Sequence, residues 1–444
     1  MSQPQNKQKS RPPEAPGGGA TVDQWLSWLE LIHPTEIDLG LDRVLVVLRR
    51  LFRKKPAVRV VTVAGTNGKG STVATLEALL QAAGRRTGAY TSPHLQKYNE
   101  RIRIDGQDID DAGLVCAFEK VEAARGSVTL TYFEFGTLAA FVALAEAGVQ
   151  DWILEVGLGG RLDAVNVLDA SLAIITSIDI DHVAFLGDNR EVIGFEKAGI
   201  LRPGIPAVVA DVDAPRSVIQ QAEAQKVALI LGGRDYTIQE AREDSGDITT
   251  RLHVQEARFR LPSGPLPVQS VAAAVVAVRV LEPGLEKDVI ETALCGVKVP
   301  GRFERLGRNP DLYVDVGHNP HAAGWLCKRL QALKGEDQKV FAVYAALADK
   351  DVEGVASAMA PVVDDWYLAG LDVPRGLDSV ALWQRLESGS LFGKLHDGSS
   401  SPQVKAYSSV AAAISEAKAN AGEKDIIIVF GSFFTVAEAR TLLL

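Results

Sequence analysis

Cysteine is scarce in this chain: Cys116, Cys295 and Cys327 are the only three in 444 residues, odd in number and far apart. Such spacing excludes a disulfide framework and a CxxC metal knuckle, and it suits a reducing cytoplasm. Long apolar runs are also missing. The longest, such as FGTLAAFVALA at 135–145, fall well short of the ~20 residues that span a bilayer, so no membrane segment is expected. The first residues, MSQPQNKQKSRPPEAPGGGA, contain no apolar stretch that could act as a signal peptide, and residues 1–20 read as a disordered tail. Lysine and arginine nowhere gather into a long block and the net charge is −9, so nucleic acid is not an expected partner. No short internal repeat is present, which excludes a solenoid or propeller.

At this length two domains are expected rather than one core. The 47% apolar and 23% charged residues are the balance of a soluble globular chain. TVDQWLSWLELI sets Trp25, Leu26, Trp28, Leu29 and Ile32 on a helical period, with Val22 one turn earlier, and DLGLDRVLVVLRRLF at 38–52 repeats it. VRVVTVAG reads as a buried strand, followed by a glycine loop and a helix from about Ser71. The runs DWILEVG, SLAIITSI and IPAVVAD alternate with helical stretches at 191–201 and 214–226, implying a parallel sheet with crossover helices. Residues 235–267 read instead as short, half-exposed antiparallel strands, a small subdomain at the sheet edge. An apolar helix at 269–281 leads to a second series of strands, LYVDVG, VFAVYAAL, DDWYLAGL and DIIIVFG. The expected fold is α/β throughout, with one domain over 21–296 and a second over 297–444.

VTVAGTNGKGSTVATL, at 61–76, looks like a phosphate-binding loop with both ends altered. The common form, GxxxxGK[ST], ends on a lysine that reaches the phosphates and a hydroxyl that ligates Mg²⁺. Here Val63 stands at the first glycine position and Gly70 follows Lys69. The physical elements survive: a strand, a turn through Gly65, Gly68 and Gly70, then helix amides facing an anion, with Lys69 supplying charge. The missing hydroxyl leaves Ser71, one place on, or an oxygen from elsewhere to hold the metal. A plain glycine turn beside a surface lysine is the alternative. Glu155 ends the apolar run DWILEV, where an ionised carboxylate is costly unless paired or metal-bound; a solvent-facing edge-strand Glu is the other reading. His182, in SIDIDHVAFLG, follows another strand at the edge where open α/β sheets hold ligands. Asp179 and Asp181 beside it fit a cationic or metal centre, and a structural histidine is the alternative.

GTNGKGS, then TSPHLQKYNERIRIDG at 91–106 and VGLGGRLDAVN at 157–167, are similar to motifs of the folylpolyglutamate synthase/dihydrofolate synthase branch of the Mur ligases. The resemblance runs from about residue 21 to the C-terminus. It implies a P-loop ATPase domain with a parallel sheet and small antiparallel subdomain, followed by a Rossmann-like glutamate ligase domain. It assigns Gly65, Thr66, Asn67, Gly68, Lys69, Gly70 and Ser71 to ATP, and Ser92, Glu155 and His182 to magnesium. Ser92 would thus supply the hydroxyl that the loop lacks. Lys69, His182 and Lys197 are implied in catalysis. Lys197, in GFEKAGI, matches a lysine that is carbamylated in this family, an anion suited to a second Mg²⁺ or to orienting the substrate carboxylate; composition alone reads a helix-surface lysine.

Arg302 in VPGRFE, with Asp315 and His318 in YVDVGHNPHAA, matches positions that contact ATP across the interdomain cleft. A turn-forming Asp before Gly is the alternative for Asp315. Two departures stand out: Gln269 in LPVQSVAAAV replaces the family's common Asn, leaving Gln269 as the adenine contact, and Glu304 replaces the usual Gln after PGRF. The resemblance implies a pterin site of Thr131, Tyr132 and Phe133 in LTYFEFGT with Leu162, Asp163 and Ala164, although aromatics at helix starts also serve cores. TEIDLGLDR at 35–43 resembles a second pterin-contacting segment.

The implied activity is ATP-dependent ligation of L-glutamate to dihydropteroate and to reduced folates through an acyl phosphate, with Mg²⁺, in a cytoplasmic monomer. An enzyme with polyglutamylating activity alone is the nearest alternative. In a cell-wall Mur ligase a nucleotide-sugar domain would precede the loop, and a loop starting at Gly65 leaves it no room. A GTP switch would need an N/T-K-x-D segment after a strand, which is lacking; a small-molecule kinase would leave the second domain unexplained.

Overall fold

The computed structural model describes residues 14–242, 248–388 and 403–444. Of the tail expected over 1–20, residues 1–13 lie outside the described residues. In the remainder Ala20 N–H donates to Gly17 O, and Ala15 and Ala20 rest against the first core.

α1 (Val22–Leu29) opens on a capping box of Thr21 and Gln24 and buries Trp25, Trp28 and Leu29. α2 (Asp42–Leu51) adds Val44 and Val47 to the same core. β1 (Arg59–Ala64) leads into the phosphate-type loop, and α3 (Lys69–Ala82) leaves it. That helix begins two residues before the expected Ser71, because Gly68 in the left-handed region (φ 86°) serves as its N-cap and makes Lys69 the first helical residue. β2 (Thr87–Tyr90), β3 (Ile102–Ile104), β4 (Gln107–Asp108), α4 (Asp111–Arg125), α5 (Tyr132–Glu146), β5 (Asp151–Glu155), β6 (Leu172–Ile175), α6 (Val183–Leu186), α7 (Arg190–Ala198), β7 (Pro206–Val209), α8 (Arg216–Ala224) and β8 (Ala228–Leu231) follow. Residues 134–144 of α5 are all buried, so the run FGTLAAFVALA is a core helix without a polar face. Among the described residues no helix is long and apolar enough to cross a membrane.

The first sheet has the order β4-β3-β2-β5-β1-β6-β7-β8. It is parallel from β2 to β8, with β3 and β4 antiparallel at one edge. β1 lies between β5 and β6, in a register that sets Val63 beside Glu155 and Ala64 beside Ile175. The carboxyl ends of three strands therefore come level, which is where open α/β sheets hold ligands.

β9 (Tyr236–Arg242), β10 (Ile248–Val254) and β11 (Ala257–Leu261) form the separate antiparallel sheet that the sequence suggested at 235–267. Its inner residues Leu252, Val254, Phe259 and Leu261 share a core with α3 and with α9 (Val268–Leu281). α10 (Lys287–Cys295) closes this part of the chain.

A second sheet combines β12 (Glu304–Gly307), β13 (Asp311–Asp315), β14 (Val340–Tyr344), β15 (Asp365–Ala369), β16 (Gln403–Tyr407) and β17 (Ile426–Phe430). Their order is β12-β13-β17-β14-β15-β16, parallel except for β12. Helices cover both faces, and IIIVF of β17 is buried throughout, the continuous apolar reading that a doubly covered strand requires. α11 (Pro320–Leu333) follows β13, capped by Asn319.

Candidate active site

The loop after β1 is shaped by its glycines. A Cβ on Gly65 would lie 1.7 Å from Thr176 Oγ1, and one on Gly68 would lie 2.3 Å from Ser270 Oγ. The loop is held from behind by the segment after β6. Thr176 Oγ1 donates to Asn67 O (2.7 Å), Asn67 N–H donates to Ser177 Oγ (3.1 Å), and Thr66 Oγ1 donates to Asp179 O (3.0 Å). Lys69 Nζ curls back onto Gly65 O (3.1 Å) and Thr66 O (3.2 Å). Burial pushes its pKa down, against the attraction of Glu155 and Asp181. The cation can therefore exchange two neutral carbonyls for anionic oxygens.

Glu155, the last residue of β5, is buried, and desolvation raises its pKa against the nearby Lys69. Its Oε2 accepts Ser92 N–H at 3.3 Å, bringing the TSPH loop onto the strand end. That loop is braced by Glu100, whose carboxylate accepts the amides of Leu95, Gln96 and Lys97 at 2.7, 2.9 and 2.8 Å. His182 sits in the left-handed region (φ 52°) at the start of α6. Desolvation of its ring lowers the pKa to about 4, with Lys350 and Lys69 adding to the effect against Asp181. Lys197, on α7, is 3% exposed, and burial followed by the charge of Lys69 lowers its pKa to about 7.

The second domain contributes Arg302, stacked over the Phe433 ring at 5.5 Å, and His318, whose Nδ1 lies 3.0 Å from Val316 O. One cleft is lined by Gly65 to Lys69, Ser92, Glu155, His182, Lys197, Arg302 and His318, together with Gly157 to Gly159 and Asp181. Twelve of the residues singled out from sequence, Asp181 included, thus converge there.

The others lie outside that lining. Gly70 and Ser71 begin α3, with Ser71 buried. Asp315 is buried, its oxygens accepting Phe303 N–H (2.9 Å) and Gly317 N–H (2.7 Å); it ties the Arg302 turn to the His318 turn. Glu304 is a brace of the same kind, accepting Gly301 N–H at 2.7 Å and pairing with Arg440. Gln269 is exposed in the first turn of α9, while its neighbour Ser270 faces Gly68.

Thr131 caps α5, accepting Glu134 N–H at 3.2 Å, and Tyr132 packs edge-on to Tyr98. Phe133 lies so close to Gly157 that a Cβ there would be 2.5 Å from its ring. Leu162 is half-buried and Ala164 buried. Asp163 accepts Leu158 N–H (2.8 Å) and Val165 N–H (3.0 Å), and burial raises its pKa to about 6. Arg43, from the stretch at 35–43, pairs with Asp38 at 2.7 Å and with Glu134 at 2.9 Å. Sequence reasoning missed Thr176, Ser177, Ser270, Asn319 and Lys350, whose partners lie on other strands or in the other domain.

Family models match the chain twice: the Mur ligase middle domain over residues 63–278 and the Mur ligase glutamate ligase domain over 301–433. The dihydrofolate synthase/folylpolyglutamate synthase of Escherichia coli (strain K12) is 40% identical over 428 residues, covering 96% of this chain and 97% of that protein. The chain belongs to the dihydrofolate synthase/folylpolyglutamate synthase family of Mur ligases. Solved structures of this family superimpose closely. E. coli FolC in complex with DHPP and ADP is 39% identical with a TM-score of 0.89, covering 96% of this chain and 99% of its own. A bifunctional folylpolyglutamate synthase/dihydrofolate synthase with Mn, AMPPNP and L-glutamate bound is 40% identical with a TM-score of 0.86, covering 97% and 100%. The chain is thus an ATP-dependent ligase of folate metabolism.

Proposed function

We propose that the enzyme uses ATP to join L-glutamate to dihydropteroate, forming dihydrofolate, and to reduced folylglutamates, extending their glutamate chain. The observation that carries this reading is the meeting in one cleft of Lys69 and Glu155 from the first sheet with Arg302 and His318 from the second domain. Support comes from relatives whose structures hold DHPP with ADP, and Mn with AMPPNP and L-glutamate. The working division is an ATP-binding domain over 21–296 and a glutamate ligase domain over 297–444, in a cytoplasmic monomer.

The first step transfers the γ-phosphoryl group of ATP to the pteroate or folate carboxylate, giving an acyl phosphate and ADP. The loop amides, Lys69 and Arg302 face the charge that spreads over the phosphoryl oxygens. In the second step the amine of glutamate attacks the acyl carbon, the C–O bond to phosphate breaks, and an amide and inorganic phosphate result. Closing the cleft between two domains keeps water from the intermediate.

The donor set fits a magnesium ion. Glu155 offers a buried carboxylate, Ser92 a hydroxyl and His182 an imidazole in the lining of one cleft. Among the described residues no group of three or more His, Cys, Asp or Glu could hold a metal by itself, so the remaining ligands would be phosphate oxygens and water, the usual habit of Mg²⁺. Bound there, the ion would neutralise phosphate charge during transfer. Lys197, with a pKa of about 7, keeps a large share of neutral amine near neutrality. Its nitrogen can add to CO₂ with loss of a proton, and the carbamate would offer oxygens to a second ion or orient the acceptor carboxylate. Tyr132 and Phe133 offer a ring surface for the pterin behind Gly157, alongside Leu162, Asp163 and Ala164.

The test is ADP release with Mg²⁺, ATP and L-glutamate, with dihydropteroate in one reaction and a reduced folate in the other, products being identified by mass. Glutamate adducts in both support the bifunctional reading. An adduct with reduced folate alone leaves the polyglutamylating activity, and none in either overturns the proposal, as does unchanged turnover in Lys69→Ala.

A further inference from the structure

Asp181 receives the second domain at three points. Lys350 Nζ donates to its Oδ1 at 2.8 Å, Asn319 Nδ2 donates to its Oδ2 at 3.1 Å, and His318 Nε2 lies 3.4 Å from the same oxygen. The pair is enclosed, with side chains of Asp181 and Lys350 exposed by only 11% and 9%. Asn319 carries the connection onward. It exchanges amide hydrogen bonds with Asn67 in both directions, each 3.0 Å, and its Oδ1 also accepts Ala322 N–H to cap α11. Both amide hydrogens and both lone pairs of Asn319 are used, which fixes its position. Asn67 belongs to the phosphate-type loop and is itself held by Thr176 and Ser177. A short chain of polar contacts therefore runs from Lys350 through Asp181 and Asn319 into the loop that carries Lys69.

We propose that Asp181 and Lys350 form a latch that positions the second domain on the phosphate-type loop and keeps the cleft closed to water while the acyl phosphate exists. Asp181 borders the cleft and Lys350 lies outside its lining; the pair acts on the loop through Asn319 and Asn67. Arg302 and His318 reach the cleft from the side that the latch holds, so loosening it moves both away from Lys69. A separate contact, Leu95 packed beside Gly301, Val316 and Val436, joins the domains elsewhere, so the loosened enzyme stays folded and connected. In the open state water takes the place of glutamate's amine, returning the free carboxylate and inorganic phosphate. ATP is consumed without an amide being formed.

The inference rests on the acyl-phosphate reading above, and its experiment reports on both. ADP and amide product are measured together for the wild type, Lys350→Met, Lys350→Arg and the isosteric Asp181→Asn. The latch requires the ADP-to-amide ratio to rise at least about twofold in Lys350→Met and Asp181→Asn, as water enters. KM for the carboxylate substrate should stay near wild type in Lys350→Met, whose site lies outside the cleft lining, and Lys350→Arg should restore most of the coupling. Partial misfolding would lower both products together and leave their ratio at the wild-type value. Small-angle X-ray scattering of the same proteins should show a larger radius of gyration for the uncoupled variants. An unchanged ratio in both variants overturns the latch. Absence of amide from the wild type overturns the functional reading instead, and an unchanged radius of gyration would then decide against the latch by itself.

Discussion

Lys197→Met should stabilise the folded protein near neutral pH and lose that advantage as the solution becomes alkaline. Lys197 is 3% exposed, and burial, then Lys69, lower its pKa from 10.5 to about 7. Between those values the unfolded chain holds a proton on this amine and the folded chain does not, so folding releases it. Stability contributed by the site therefore rises with pH across the window, by about 1.4 kcal/mol per unit and roughly 5 kcal/mol in full. Below about pH 7 the buried amine carries its whole penalty, and above about pH 10 it carries almost none. Methionine has similar length and no charge, so it removes the penalty at every pH. The measurement is urea unfolding of wild type and variant in bicarbonate-free buffer at about pH 6, 7, 8 and 9, followed by tryptophan fluorescence. The variant's advantage should shrink by about 2 kcal/mol between pH 7 and 9, since the folded amine is still half protonated at the lower pH. An advantage that stays flat across this range would refute the argument. Bicarbonate should stabilise the wild type and leave Lys197→Met unmoved, because only the lysine can form a carbamate.

Gly68→Ala should weaken the fold by about 2–3 kcal/mol, from left-handed strain and displacement of Ser270, and depress nucleotide binding; denaturant titration and calorimetry check the two effects. Asp151, fully buried and paired with both Arg59 and Arg85, should cost about 3 kcal/mol on replacement by Asn, because two cations lose their buried partner and keep only the more exposed Glu282. A change under 1 kcal/mol in chemical unfolding would contradict this account. Glu304→Gln keeps an acceptor for Gly301 N–H but ends the ion pair with Arg440. It should cost about 1 kcal/mol in thermal unfolding and leave kcat within about twofold, since Glu304 braces the Arg302 turn from outside the cleft.

Local pattern made the first sheet and the phosphate-type loop legible. β-branched strands ending in glycine, and helices with a clear period, carry their own signal in VRVVTVAG and TVDQWLSWLELI. β3 and β4 were not anticipated, because strands of three and two residues leave no periodicity to detect. Glu155 and His182 stood out because a charge and an imidazole at strand ends are conspicuous. Asp163 and Asp315 were less legible: both serve backbone amides of neighbouring turns, a role no spacing announces. Thr131 similarly looks like a ligand contact in sequence and is also the cap of α5. Asp181 with Lys350 could not be read at all, since 169 residues separate them and only the docking of two sheets brings them together.

The order of the second sheet has a consequence for how the enzyme is made. β17 is the last of its six strands in sequence, yet it lies between β13 and β14, pairing Ile426 with both Asp311 and Val340. On the ribosome, every strand of this sheet except its keystone would emerge first. β13 and β14 would wait with bare edges facing each other, a condition that invites the wrong strand to pair. Arg302 and His318 flank β12 and β13, so the cleft gains its second wall only when that gap is filled. A partly synthesised chain could bind with its first domain and still be unable to complete an amide, because the strand that finishes the sheet also finishes the enzyme.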